Sequence, residues 1–198
     1  MNIVFDLGGV VVAWKPEEIL ANGFADVVTR DLVARELLRH PDWLALDRGE
    51  LTWNAVISRG AARTGLPEET IGAFLDSVPA QLVANPETVD LLYRLKRLGH
   101  KLYCLSNMPK ESIEHLERAY SFWEVFSGAV ISSRVRLCKP EREIYSHLLE
   151  RYDLAAADTV FIDDVEQNLV AARELGIRTI KFENVEQCGR ELERLGCL

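Results

Sequence analysis

The sequence predicts an α/β fold: a mostly parallel sheet covered by helices, with a helical block inserted after the first strand. Three observations carry this expectation. From residue 85 onward, short apolar runs alternate with segments of helical periodicity. Between residues 14 and 84 the periodicity is helical, with no convincing strand. Three of the strand-like runs stop abruptly on polar residues, at Asp6, at Ser106-Asn107 and at Asp163-Asp164. Apolar strands joined by helices form parallel sheets buried on both faces.

The elements follow in order. Ile3-Val4-Phe5 reads as a buried strand ending on Asp6, with Gly8 and Gly9 behind it. An unpaired charge in a core costs several kcal/mol, so that carboxylate belongs at the rim of the sheet. Pro16-Glu17-Glu18 opens a helix, proline being tolerated in the first turn. Residues 31–39 carry Leu32, Val33, Leu37 and Leu38 at helical spacing, and Trp43 to Glu50 reads as a polar turn flanked by helical pattern. Thr52 caps a helix over 53–63, and Pro67-Glu68-Glu69 opens another towards Leu75. Beyond the block, helices are expected over 86–98, 110–119, 141–152, 166–175 and 185–195. Strands are expected over 101–105, 129–132, 159–162 and 178–182. The division expected is a core domain of residues 1–13 and 85–198 and a helical cap of residues 14–84.

Composition narrows the function classes. A chain of 198 residues, 48% of them hydrophobic, can bury a full core. A net charge of −8 argues against a nucleic-acid binder, whose footprint is a basic stripe. The N-terminal apolar run lacks a basic flank and is broken by Asp6, and the other apolar runs are too short to span a bilayer, so no membrane anchor is expected. Cys104, Cys138, Cys188 and Cys197 show no paired spacing, which suits reduced thiols and a cytoplasmic location. His40, His100, His115 and His147 lack metal-ligand spacing. A monomer and a homodimer both remain open.

The chemistry is carried by the strand ends. In an open parallel sheet, ligands bind beyond the carboxyl ends of the strands. Acids on strand ends often only cap helices, and Ser-Asn is ordinary turn material. Three such endings converging on one crevice favour a site. Crowded carboxylates repel unless a cation sits among them, and one or two carboxylates with several waters suit Mg²⁺. A magnesium site of this kind commonly handles a phosphate.

Four segments in order also carry a family resemblance. Phe5-Asp6-Leu7-Gly8-Gly9-Val10, Leu105-Ser106-Asn107, Lys139-Pro140 with Ile144-Tyr145, and Phe161-Ile162-Asp163-Asp164-Val165-Glu166-Gln167-Asn168 resemble the motifs of haloacid dehalogenase-like hydrolases. The branch most similar holds sugar-phosphate phosphatases and the phosphatase domain of soluble epoxide hydrolase. The resemblance implies a Rossmann-like three-layer sandwich with an inserted helical cap, and a Mg²⁺-dependent phosphatase acting on a small phosphorylated metabolite such as glucose 1-phosphate. Asp6 is the implied nucleophile, forming an aspartyl-phosphate. The implied metal ligands are Asp6, the Gly8 carbonyl and Asp164, four residues before Asn168. Ser106 and Asn107 are the implied hydrogen-bond donors to the phosphoryl group, and Lys139 supplies positive charge to phosphate and to Asp6. Asp163 and Asn168 stand behind these groups, Asp163 orienting water or Lys139.

Gly8 departs from the pattern, because phosphatases of this family commonly carry a second acid at that position to protonate the leaving group; Val10 replaces the usual threonine. The leaving group then needs little help, or a cap residue or water protonates it. On the cap, Arg48 or Glu50 is a candidate for substrate hydroxyls, against the simpler reading of a salt-bridged turn. Trp14 is a candidate to line the cap hinge or stack on a substrate, against the simpler reading of packing, and Trp43 and Trp53 are most simply cap core. Two alternatives stay open: a 2-haloacid dehalogenase, against which Asp163 and Asp164 speak, and a non-catalytic phosphate-binding protein, for which Gly8 is the argument.

Overall fold

The computed structural model describes residues 1–198. Five strands, β1 (Asn2–Phe5), β2 (Lys101–Ser106), β3 (Phe126–Ile131), β4 (Thr159–Asp163) and β5 (Arg178–Lys181), form one parallel sheet in the order β3-β2-β1-β4-β5. The chain winds outward from β1 in one direction through β2 and β3, then returns to its other side through β4 and β5. This reversal beside β1 is where a doubly wound sheet opens a crevice. Register aligns Phe5 with Cys104 and with Ile162, so Asp6 and Asp163 emerge side by side at the carboxyl edge.

Alternation along each strand sorts the side chains between two helical layers. Ile3 and Phe5, with Leu102, Cys104, Val160 and Ile162, pack on one face beneath α6 (Pro86–Arg97), α7 (Lys110–Ala119) and α11 (Val185–Arg194). Val4, Tyr103, Leu105 and Phe161 pack on the other face beneath α9 (Arg142–Arg151) and α10 (Glu166–Glu174). The result is a three-layer, Rossmann-like sandwich, as the sequence predicts. Local chemistry sets the boundaries. Asn85 caps α6 by accepting from the Glu87 and Thr88 N–H groups, and Pro86 fills its first turn.

Between β1 and β2 lie α1 (Pro16–Gly23), α2 (Val27–Val33), α3 (Pro41–Asp47), α4 (Trp53–Thr64) and α5 (Glu68–Ser77). They bury an apolar cluster of their own, including Leu20, Val33, Leu37, Leu46, Trp53, Val56, Ile71 and Phe74. The two connections to the sheet run together: Ala13 N–H donates to the Val83 carbonyl at 2.8 Å and Asn85 N–H to the Val11 carbonyl at 2.8 Å.

Three local expectations are corrected. The helix expected over 31–39 starts earlier, where Asp26 caps α2 through the Thr29 N–H, and runs on into a π-helical turn, Ala34–Leu38. The segment expected as a polar turn from Trp43 to Glu50 is helical through Asp47, because His40 accepts from the Asp42 N–H as an N-cap and Pro41 fills the first turn. β3 begins at Phe126 rather than 129, since Gly128 reads locally as a break yet lies under the Tyr152 ring, whose hydroxyl bonds the Ala129 backbone.

Candidate active site

Asp6 follows β1 and is 7% exposed, its backbone N–H still held by the Ile162 carbonyl at 2.9 Å. Its Oδ1 accepts from the Leu7 N–H at 2.7 Å and from Lys139 Nζ at 2.9 Å, which leaves Oδ2 without a protein partner. Lys139 also bonds Asp163 Oδ2 at 2.7 Å and is almost wholly buried. Asp163 is saturated: besides Lys139, it accepts from the Val165 N–H at 2.7 Å and from Asn168 Nδ2 at 3.1 and 3.0 Å. The neighbouring Asp164 has no bond from another residue's side chain or backbone to its carboxyl. Gly9 explains how it fits: with φ of +76°, a Cβ there would lie 2.3 Å from Asp164 Oδ2, so the loop after β1 closes on Asp164 only as glycine.

Carboxylate oxygens of Asp6, Asp163 and Asp164 lie within 4.8 Å of one another. One ammonium therefore faces three carboxyl groups, and the imbalance shows in the proton affinity of Asp6 and Asp164. Burial pushes Asp6 up to about 7, Lys139 pulling it down and Asp163 pushing it further up. Burial and then Asp163 also raise Asp164. Burial acts to lower Lys139, but Asp6 and Asp163 outweigh it and hold the ammonium above its ordinary value. With Asp163 committed to Lys139, Val165 and Asn168, the free oxygens of Asp6 and Asp164 form an oxygen donor set that fits a hard divalent cation such as Mg²⁺.

The trio opens into a cavity of about 760 Å³ lined by Asp6, Gly8, Asn107, Lys139, Asp164 and Asn168 on the sheet side. Trp14, Leu20, Leu38, Trp43 and Asp47 line it from the helical insertion. Trp14 and Trp43 stack, with ring centroids 5.9 Å apart and planes at 30°.

The structure brings Asp6, Gly8, Lys139, Asp164 and Asn168 together, with Asp163 directly behind them. Two side chains expected to meet a ligand are engaged within the protein. Asn107 does not aim its side chain at a ligand: its Nδ2 donates to the Lys139 carbonyl at 2.9 Å and its Oδ1 accepts from the Lys139 N–H at 2.8 Å. The amide pins Lys139, and only the Asn107 backbone N–H is left unbonded within the protein. Arg48 is not among the cavity's lining residues, and its guanidinium grips Glu141 through two bonds of 2.6 and 2.5 Å. This is the salt bridge of the simpler reading, and it ties the insertion to the sheet side of the molecule. Ser106 ends β2 at 1% exposure with no hydrogen bond to its hydroxyl, and is not among the cavity's lining residues.

Sequence reasoning weighed Trp14 as a substrate-stacking residue but favoured packing, and it missed Trp43 and Asp47 as lining residues. The last two had a signal: they are four apart on α3 and so share one face. Reading the segment as a turn concealed it. Trp53 is core, its indole N–H bonded to Asp76 at 2.8 Å.

Comparison with known proteins bears on this geometry. The family profile described as haloacid dehalogenase-like hydrolase matches residues 1–176. The chain belongs to this family. Among the relatives of this hydrolase, the sesquiterpene phosphatase astK of Aspergillus oryzae is 26% identical over 195 residues, covering 98% of this chain and 96% of its own length. Acyl-CoA dehydrogenase family member 10 of Mus musculus is 26% identical over 98% of this chain, which spans only 19% of that protein. A haloacid dehalogenase-family enzyme of Bacteroides thetaiotaomicron, solved with magnesium and inorganic phosphate, superposes with a TM-score of 0.75 at 26% identity, covering 91% of this chain and 92% of that one. The hydrolase thus has phosphatases among its relatives. No helix is long and apolar enough to cross a membrane.

Proposed function

We propose that this hydrolase is a Mg²⁺-dependent phosphatase for a small phosphorylated metabolite, with Asp6 as nucleophile. The observation that carries the reading is the convergence of Asp6, Asp164 and Lys139 at the one place where strand order reverses. Asp6, the Gly8 carbonyl and Asp164 would hold the Mg²⁺, which supplies charge neutralisation between an anionic nucleophile and an anionic phosphate.

The chain's own residues account for the rest. The Asp6 carboxylate takes the phosphoryl group, giving an aspartyl-phosphate, with Oδ2, free of protein partners, as the oxygen left for the cation. Lys139 fixes the other oxygen of Asp6 and stands beside the transferring group as a buried positive charge. Asp163 and Asn168 keep Lys139 in place, and the Asn107 amide holds its backbone. The unbonded Asn107 N–H and the Ser106 hydroxyl are the donors left for phosphoryl oxygens. The insertion acts as a cap, closing the crevice against water.

The cap side of the cavity speaks to the organic half of the substrate. Trp14, Leu20, Leu38 and Trp43 offer an apolar surface, with the exposed Lys15 and Glu18 also lining the cavity. Arg48, the best candidate for sugar hydroxyls, is spent on Glu141. An ester carrying an apolar group suits this wall better than glucose 1-phosphate, and astK, a sesquiterpene phosphatase by name, is consistent with that preference. Four buried thiols suit a reducing cytoplasm, where the protein would act as a monomer or a homodimer.

The test is phosphate release from 4-nitrophenyl phosphate with and without a chelator, followed by paired alkyl, prenyl and sugar phosphates. Turnover that stops with the chelator and returns with Mg²⁺ is expected. Chelator-insensitive halide release from a 2-haloacid would make it a dehalogenase instead, and no turnover on any ester would leave a binding protein.

A further inference from the structure

Three acids of the insertion line the cavity that holds Asp6, Lys139 and Asp164; Glu17 and Glu18 are exposed, and Asp47, at the end of α3, is the one that is not. Its carboxyl takes part in no hydrogen bond or ion pair within the protein, and the residue is half-buried. The chain from Asp47 to Gly49, by contrast, lies tightly against the sheet side of the molecule. Ser132 Oγ donates to the Asp47 carbonyl at 2.5 Å and accepts from the Met108 N–H at 2.9 Å. Arg48 is forked onto Glu141. Gly49, at φ +73°, approaches the Ser133 carbonyl so closely that a Cβ would come within 2.6 Å of it. A residue from the insertion is thereby held as firmly as one from the sheet domain, with an uncommitted carboxyl over the nucleophile's crevice.

Gly8 is the complementary observation. A Cβ there would meet only Trp14 Cβ at 3.6 Å and Trp14 Cγ at 4.0 Å, so the backbone tolerates a Cβ at this position and the sequence supplies none. We propose that Asp47 is the proton donor to the leaving oxygen, in place of the acid missing at Gly8, and the base for the water that follows. The inference rests on the phosphatase reading above. The Asp6 carboxylate forms a bond to phosphorus while the ester P–O bond breaks, its electron pair staying on the ester oxygen. That oxygen takes the proton of Asp47 and departs as an alcohol. Water then attacks the aspartyl-phosphate, giving its proton to the Asp47 carboxylate. The P–O bond to Asp6 breaks, and inorganic phosphate leaves with both acids restored. Burial supports the assignment by pushing Asp47 up to about 8, with Lys139 opposing and Asp6 reinforcing the rise, so the group carries its proton at neutral pH. Arg48 and the Cys138 thiol are the other ionisable groups near it.

The experiment compares kcat/KM for an alkyl phosphate, whose leaving oxygen needs a proton, and 4-nitrophenyl phosphate, whose leaving oxygen does not, in Mg²⁺-loaded wild type and Asp47→Asn. This parameter covers the steps up to alcohol release. Asp47→Asn is expected to lose about 10²–10⁴-fold on the alkyl ester and no more than roughly tenfold on the aryl ester. Equal losses on both esters, or none on the alkyl ester, would overturn the proposal. A second measurement needs no variant: across substituted phenyl phosphates, wild-type kcat/KM is expected to depend weakly on leaving-group acidity, and a steep dependence would overturn it. Wild type inert on every ester would instead sink the phosphatase reading itself.

Discussion

Lys139 bonds two carboxylates in a place where almost no water reaches it, so its loss strands two acids at once. Removing one partner of a buried charge cluster costs on the order of 3–5 kcal/mol. Lys139→Met is expected to lower the denaturant midpoint by that order and abolish turnover, and a midpoint unchanged from wild type would show the cluster to be dispensable to the fold. Asp47 acts on stability in the opposite sense. Its folded-state affinity for a proton is raised to about 8, above the ordinary carboxyl value near 4. The stabilisation it gives is therefore complete at low pH and is lost as pH rises from about 4 through about 8, where the unfolded chain ionises and the folded one does not. Asparagine does not titrate. Asp47→Asn should accordingly gain midpoint relative to wild type as pH is raised from 5 to 8, with Asp6 titrating in both proteins and largely cancelling. A flat difference would refute the raised affinity. A gain in stability alongside a loss of alkyl-ester turnover is what a strained functional acid produces.

At the scale of elements, the junction between α3 and the sheet domain matters most. The Arg48–Glu141 fork and the Ser132–Asp47 bond set how far the insertion reaches over the strand ends. Breaking the fork with Glu141→Ala should leave the site's acids in place but loosen the wall that carries Trp43 and Asp47. The expected result is a rise in KM with a smaller fall in kcat, read by steady-state kinetics; an unchanged KM would mean that the wall is held without the fork. The loop after β1 is less forgiving. Gly9→Ala combines a left-handed φ with a contact of 2.3 Å to Asp164, so it should both destabilise the fold and displace the candidate metal ligand. Helices and strands were largely legible here, because β1 and β4 are short apolar runs and Asn85-Pro86 is an unambiguous helix start. The failures fall where a cap residue is unusual, as with His40 before α3, or where a glycine is kept for a tertiary contact, as with Gly128 in β3.

For the molecule as a whole, the net charge of −8 and the acidic trio make a cation an expected source of stability. A ligand that binds only the folded chain raises stability by about 2.7 kcal/mol at one hundred times its dissociation constant. Millimolar Mg²⁺ should raise Tm, chelator should reverse the rise, and Asp164→Asn should remove it; an equal rise in that variant would place the ion elsewhere. This readout is independent of turnover.

The sequence by itself determined the α/β class, the parallel sheet and the acids Asp6, Asp163 and Asp164, because apolar periodicity and abrupt polar strand ends are local properties of the chain. Only the tertiary structure decided what each polar side chain is bonded to. It committed Asn107 to the Lys139 backbone and Arg48 to Glu141, and it left the carboxyl of Asp47 free. Those outcomes depend on partners 32 and 93 residues away, and on enclosure by segments distant in sequence, and no local pattern encodes either.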